Sequence, residues 1–218
     1  MHQKQLQLLS THASVAVYDE VVRLDRAIAQ VPAASRLPLA GMAVAALRQL
    51  NKDQYQIFRQ NAFDLASADQ EITLSEYALL RMIARNLDPL FGLSKRPTVQ
   101  YKDLASLTAE CAVALSTLAW AGNTDPKQAA QAFANGAAEL QAGAALNLLP
   151  EDQCSLDAAD KALDKLMLAA APLKERIVAA SVACVSSDGK VTIEEAELLR
   201  AVADSLECPI PPFLPQAA

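Results

Sequence analysis

Two stretches, Asp69-Gln-Glu-Ile-Thr-Leu-Ser-Glu76 and Asp188-Gly-Lys-Val-Thr-Ile-Glu-Glu195, decide how this chain folds. Each runs from an acid through a β-branched apolar residue to Thr-x-x-Glu, the signature of a capping box. In that motif the threonine hydroxyl accepts from the amide three residues on, and the glutamate reaches back to the cap amide. Thr73 and Thr192 are therefore expected to open helices. Ile72 and Val191 precede the caps, placed to staple toward Tyr77 and Ala196. Asp69 and Asp188 suit side-chain closure of the preceding turn, and Gly189 suits a positive φ.

Outward from these turns the match continues without a gap. At the 119-residue separation of Asp69 and Asp188, Ser67 falls on Ser186, Leu79-Leu80-Arg81 on Leu198-Leu199-Arg200, Ala84 on Ala203 and Leu87 on Leu206. Ile72 also falls on Val191, and Phe58 on Ile177. The expectation is two copies of a three-helix unit, repeat one over 36–88 and repeat two over 155–207. Linking helices lie within 102–146 and a Pro-rich tail covers 208–218, all in one helical domain spanning 1–218.

Helix punctuation supports this reading. An amphipathic helix is expected over Ser14–Gln30, with Val17, Val21, Leu24 and Ile28 on one face. Pro38 suits the first turn of a second helix ending near Leu50. Others are expected over Asp53–Ala66, Leu74–Leu87 before Asp88-Pro89, Lys102–Trp120, and Pro126–Leu140 after the Asp125 cap. The last three are expected over Leu156–Ala170 after Ser155, Pro172–Val185 and Ile193–Leu206.

Composition agrees with an all-α class. The 218 residues are 52% hydrophobic but only 5% aromatic, with 6 glycines, and mean hydropathy is +0.14. Ala and Leu with few rings and few turn-formers favour helix packed on helix. A net charge of −6, with no basic block, argues against nucleic acid and anionic lipid as partners. The apolar runs Ala105–Ala121 and Lys165–Val185 are interrupted by charge or proline, so no membrane span is expected. The polar start Met-His-Gln-Lys-Gln does not read as a signal peptide.

Catalytic chemistry finds little to work with. Cys111, Cys154, Cys184 and Cys208 form no Cys-x-x-Cys pair, and the apolar settings of Cys111 and Cys184 read as buried reduced thiols of a cytoplasmic protein. His2 and His12 are the only histidines, so His-Glu-x-x-His zinc chemistry and His-assisted nucleophiles lack support. Ser181, Ser186 and Ser187 have no base assigned by motif. Trp120 and Tyr101 read as core, Asp157, Asp160 and Asp164 as a solvated face beside Lys161 and Lys165, and Pro209–Pro215 as a tail with PxxP spacing.

The repeated turn has a second reading as a cation site, since Asp-Gly-x-Val-x-x-x-Glu fits the latter half of an EF-hand loop. Asp188, Gly189, Val191 and Glu195 would stand at positions 5, 6, 8 and 12. Positions 1 and 3 would be Cys184 and Ser186, or Leu65 and Ser67 in the first copy, so two carboxylates are missing. No cofactor is expected. Asp69, Glu71 and Glu76, with Asp188, Glu194 and Glu195, are the candidate ligands of a weak divalent-cation site.

The helix, Asp-Gly-x-Val-Thr-x-x-Glu, helix pattern resembles the TerB-like (tellurite-resistance B) helical module, whose acidic loop residues are associated with metal binding. The run from Ala183 to Pro212 is similar to the extreme C-terminus of bacterial membrane-bound M48-family zinc metallopeptidases with a long cytoplasmic tail. Leu37-Pro-Leu, Ala46-Leu-Arg-Gln-Leu, Gln54-Tyr-Gln-Ile-Phe-Arg and Glu76-Tyr-Ala-Leu-Leu-Arg-Met resemble earlier parts of the same tail. The resemblance implies duplicated TerB-like units and a noncatalytic regulatory or interaction domain. Its partner would be another protein or its own protease domain, in a parent zinc metalloendopeptidase of the inner membrane. The alternative it implies is a free-standing TerB-like metal-responsive binding module. The peptidase's His-Glu-x-x-His helix, glutamate ligand and membrane helices have no counterpart here, so no catalytic residue carries over.

Overall fold

A computed structural model describes residues 2–69, 72–95, 97–140, 146–208 and 210. These residues form ten α-helices and two 3-10 turns, with no strand among them. The chain divides into two compact units, residues 1–95 and 96–218. The division falls in the connection between the fifth and sixth α-helices, where the described residues 91–94 are in turns and bends.

The first unit contains α1 (His2–His12), α2 (Val15–Ala29), α3 (Ala33–Leu47), α4 (Lys52–Ala66) and α5 (Leu74–Leu87). Here α3 and α4 both pack on α5, and α1 packs on α4 and α2. Helix α1 was not anticipated, since no cap precedes it. Ser14, expected as the first helical residue, instead caps α2 by accepting from the Val17 amide. Pro38 is not in a first turn: α3 starts five residues earlier behind Pro32 and ends at Leu47 rather than Leu50. The helix absorbs the loss of one internal bond, that of the absent Pro38 amide to the Ala34 carbonyl.

The second unit contains α6 (Thr108–Gly122), α7 (Pro126–Glu139), α8 (Leu156–Leu166), α9 (Ala171–Val185) and α10 (Ile193–Ser205). Helix α6 packs on α7, α8, α9 and α10, α7 packs on α9, and α10 packs on α8 and α9. Leu115, Leu118, Leu163, Ile177 and Leu199 are fully buried at its centre. Gly136 lets α7 approach the backbone of α9, because a Cβ there would lie 2.8 Å from the Ala180 carbonyl oxygen.

Two expected boundaries are corrected by one contact. Tyr101 forms a parallel bridge with Ala169, in which the Gln100 amide donates to the Leu168 carbonyl and the Ala170 amide to the Tyr101 carbonyl, each at 2.8 Å. Residues 100 and 101 are used by this pairing and residues 105–107 form a separate 3-10 turn, so α6 begins at Thr108 rather than Lys102. Residues 168–170 are used by the same pairing, so α8 stops at Leu166 rather than Ala170. Asp103 Oδ1 accepts from the Ser106 amide at 3.0 Å, within the 3-10 turn Ala105–Leu107.

Several helix boundaries fall at the same 119-residue separation. Shifted by it, α4 covers the residues of α9, α5 starts where α10 starts, and α3 ends where α8 ends. Ser67 and Ser186 follow α4 and α9 with nearly the same backbone angles, φ −92 and ψ 4 against φ −90 and ψ 11.

Candidate functional site

Both repeated turns close as capping boxes. The Glu76 amide donates to Thr73 Oγ1 at 3.3 Å, while Thr73 N and Oγ1 donate to Glu76 Oε2 at 3.0 and 2.8 Å. The Glu195 amide donates to Thr192 Oγ1 at 3.1 Å, and Thr192 N and Oγ1 donate to Glu195 Oε2 at 2.8 and 2.9 Å. Asp188 Oδ1 accepts from the Lys190 amide at 2.9 Å, and Gly189 turns the chain at φ 76. Each helix start thus satisfies orphan amides locally, and an acid in the first turn complements the positive end of the helix.

The two turns differ in what covers them. Glu195 is 5% exposed and lies under the C-terminal end of α6, where a Cβ on Gly122 would run into the Glu195 carboxylate. Glu76 is half-buried. Ile72 and Val191, placed to staple the caps, are both exposed.

As metal ligands the candidates are scattered in role. Glu76 and Glu195 are engaged by the threonines, Asp188 by its own turn, and Glu194 is exposed. Asp69 lies in the turn after α4, and Glu71 lies outside the described residues. Among the described residues, no group of three His, Cys, Asp or Glu side chains converges as an ion would need.

The remaining sequence candidates have structural partners. Trp120 Nε1 donates to the Leu149 carbonyl at 2.9 Å, and the Leu149 amide donates to Ser116 Oγ at 3.0 Å, which fastens the segment before α8 along α6. Lys165 Nζ sits 2.6 Å from Glu110 Oε1 and 5.5 Å from the Tyr101 ring centroid. Asp157 pairs with Lys161 on the exposed face of α8. Ser181 Oγ donates to the Ile177 carbonyl at 2.8 Å. The Pro-rich tail lies outside the described residues except for Cys208 and Ile210.

Cys111 and Cys184 are buried free thiols. Burial, then the neighbouring Glu110 charge, pushes Cys111 up to about 12. Burial, then the Glu195 charge, pushes Cys184 up to about 12. Both stay protonated at neutral pH and are poor nucleophiles or ligands.

Sequence reading missed a polar cluster in the first unit. Tyr55 Oη donates to Asp88 Oδ1 at 2.6 Å, Arg59 Nε lies 3.0 Å from the same oxygen, and Phe91 stacks on Tyr55 with centroids 4.3 Å apart. The signal that finds it is the repeat: 119 residues on from Tyr55 and Asp88 stand Lys174 and Glu207, themselves paired at 3.1 Å. No family model, no curated protein and no solved structure matches this chain.

Proposed function

We propose that this chain is a noncatalytic, cytoplasmic regulatory or interaction domain built from two TerB-like helical repeats. It would act as the tail of a membrane zinc metallopeptidase of the M48 type. The observation that carries this reading is the run from Ala183 to Pro212, which is similar in residue order to the end of such tails. The coincidence of α4 with α9, and of the two capping boxes, supports a duplicated unit. The domain binds another protein or its own protease domain, and the repeated glutamates serve helix caps rather than an ion.

The test has two parts. The coding sequence upstream should continue into membrane helices and a His-Glu-x-x-His motif. The parent peptidase with this domain removed should keep cleaving a small peptide but change its rate on folded protein substrates by several-fold. An intact rate on every substrate after removal would refute the regulatory role.

A further inference from the structure

The connection from α5 to α6 is fastened near each end and free in its middle. After α5, Phe91 stacks on Tyr55 with ring centroids 4.3 Å apart, and the Leu93 amide donates to the Asp88 carbonyl at 2.9 Å. Before α6, the Gln100 amide donates to the Leu168 carbonyl at 2.8 Å and Tyr101 pairs with Ala169. Ser94, Lys95, Pro97, Thr98 and Val99 lie in no helix and make no backbone–backbone hydrogen bond among the described residues. Ser94, Lys95, Thr98 and Val99 are exposed.

This freedom sets Lys95 apart from the other basic residues. Most of them stand in helices, whose backbone is bonded within the helix and cannot be drawn out as an extended strand. Among the described residues, only Arg48, Lys95, Lys102 and Lys190 are Lys or Arg outside the helices. Arg48 sits in a turn where the Gln49 amide donates to the Ala46 carbonyl at 3.1 Å and the Leu50 amide to the Leu47 carbonyl at 3.2 Å. Lys102 directly follows the bridged Tyr101 and precedes Asp103, which holds the Ser106 amide. The Lys190 amide donates to Asp188 Oδ1 at 2.9 Å, within the turn at Gly189. Of the four, only Lys95 stands in a stretch free of such bonds.

We propose that the peptide bond on the carboxyl side of Lys95 is a processing site for an endoprotease that takes lysine or arginine, and that both products keep their folds. Exposed, weakly bonded loop segments are where nicking concentrates. To lie extended in a protease cleft, the residues from Gly92 to Val99 have to give up the Leu93–Asp88 bond, an opening of the low-cost local kind. Hydrolysis adds water across the bond, leaving a carboxylate on Lys95 and an amine on the next residue. The bond after Arg96 makes a poor second site, because Pro97 lacks an amide hydrogen and has a fixed φ. Cleavage after Lys95 divides the chain at the boundary of its two compact units, each with buried residues of its own. Nothing in this depends on the peptidase reading, since a free-standing module would be cut in the same way.

Brief digestion of the full chain with a trace of trypsin, read by mass spectrometry, tests this. The first products should be residues 1–95 and 96–218, and circular dichroism of the digest should show unchanged helicity. Lys95→Gln leaves every core residue in place. It should slow division of the chain roughly tenfold or more, because a cut at Lys102 has first to break the Tyr101 bridge. Unfolded in urea, the parent should lose its preference for Lys95 over Arg48 and Lys190, since the fold and not the local sequence sets it. A first cut at Arg48, Lys102, Lys190 or within a helix overturns the inference. So does helicity lost on cutting, a Lys95→Gln chain divided at the parent rate, or a preference that persists in urea.

Discussion

Tyr55 donates to Asp88 across the first unit at 2.6 Å, and at the same two positions of the second triad Lys174 meets Glu207 at 3.1 Å. The chemistry differs while the placement persists. In each case a residue near the start of the triad's second helix, α4 or α9, is tied to a residue just beyond its third, α5 or α10.

The two ties should respond differently to removal. Tyr55→Phe deletes a buried hydrogen bond to a carboxylate, so a loss of about 1.5–3 kcal/mol is expected. Lys174→Met replaces a buried ammonium, 7% exposed, whose partner is largely in water. It should change stability by no more than about 1 kcal/mol or increase it, since burying a charge costs most of what its pairing returns. Urea unfolding of both variants checks this, and a larger loss for Lys174→Met would contradict it.

At the second turn, cap and ion site make opposite demands on Glu195. Thr192→Ala should cost about 1 kcal/mol, while Glu195→Gln should be milder because glutamine also serves in a capping box. Calcium at low millimolar concentration should leave the parent Tm unchanged. A calcium-dependent rise that vanishes in Glu195→Gln but survives Thr192→Ala would establish the ion site instead.

Gly122 is held to glycine by its neighbour. Gly122→Ala should destabilise the chain by about 1–3 kcal/mol, because its methyl displaces the Glu195 carboxylate from the cap. Adding Glu195→Ala should cost less than the sum of the single changes, since the obstructing side chain is then gone. Strict additivity in thermal melts would show that the two residues do not meet.

Alkali should weaken the second unit through its thiols. Cys111 and Cys184 are raised to about 12 in the folded chain, so on unfolding they titrate near the ordinary value of about 8.5. Stability is full below that value. It declines as pH rises toward 12, by up to about 1.4 kcal/mol per pH unit for each thiol, because the unfolded chain then binds fewer protons. Melts from neutral pH to alkaline pH should show this decline, and Cys111→Ala should flatten it. At neutral pH a thiol reagent should modify Cys154 and Cys208 well before the buried pair.

Local chemistry made much of this fold legible. Thr-x-x-Glu placed the starts of α5 and α10, and Asp125 and Ser155 placed two more, because a cap is satisfied by residues adjacent in the chain. The end of α8 and the start of α6 were missed because the Tyr101–Ala169 bridge overrides helix propensity from a distance. The apolar stripe of α2 was legible as a pattern, but periodicity does not say whether a partner lies within the chain. At the turn, the sequence located Glu195 but not its covering by Gly122, which depends on how α6 crosses α10. Tyr55 and Asp88 lie too far apart in sequence for spacing to join them.

The bridge from Tyr101 to Ala169 also orders events during synthesis. Its two strands of backbone meet only after α6, α7 and α8 have all emerged from the ribosome, and the closing of so long a loop carries an entropic cost. The first unit is complete long before then and is free to fold while the second is still being made, as N-terminal units generally do. Until Ala169 appears, the apolar α6 has no α9 or α10 to cover it. A nascent chain stalled between α7 and α8 is therefore the species that a chaperone would be expected to hold.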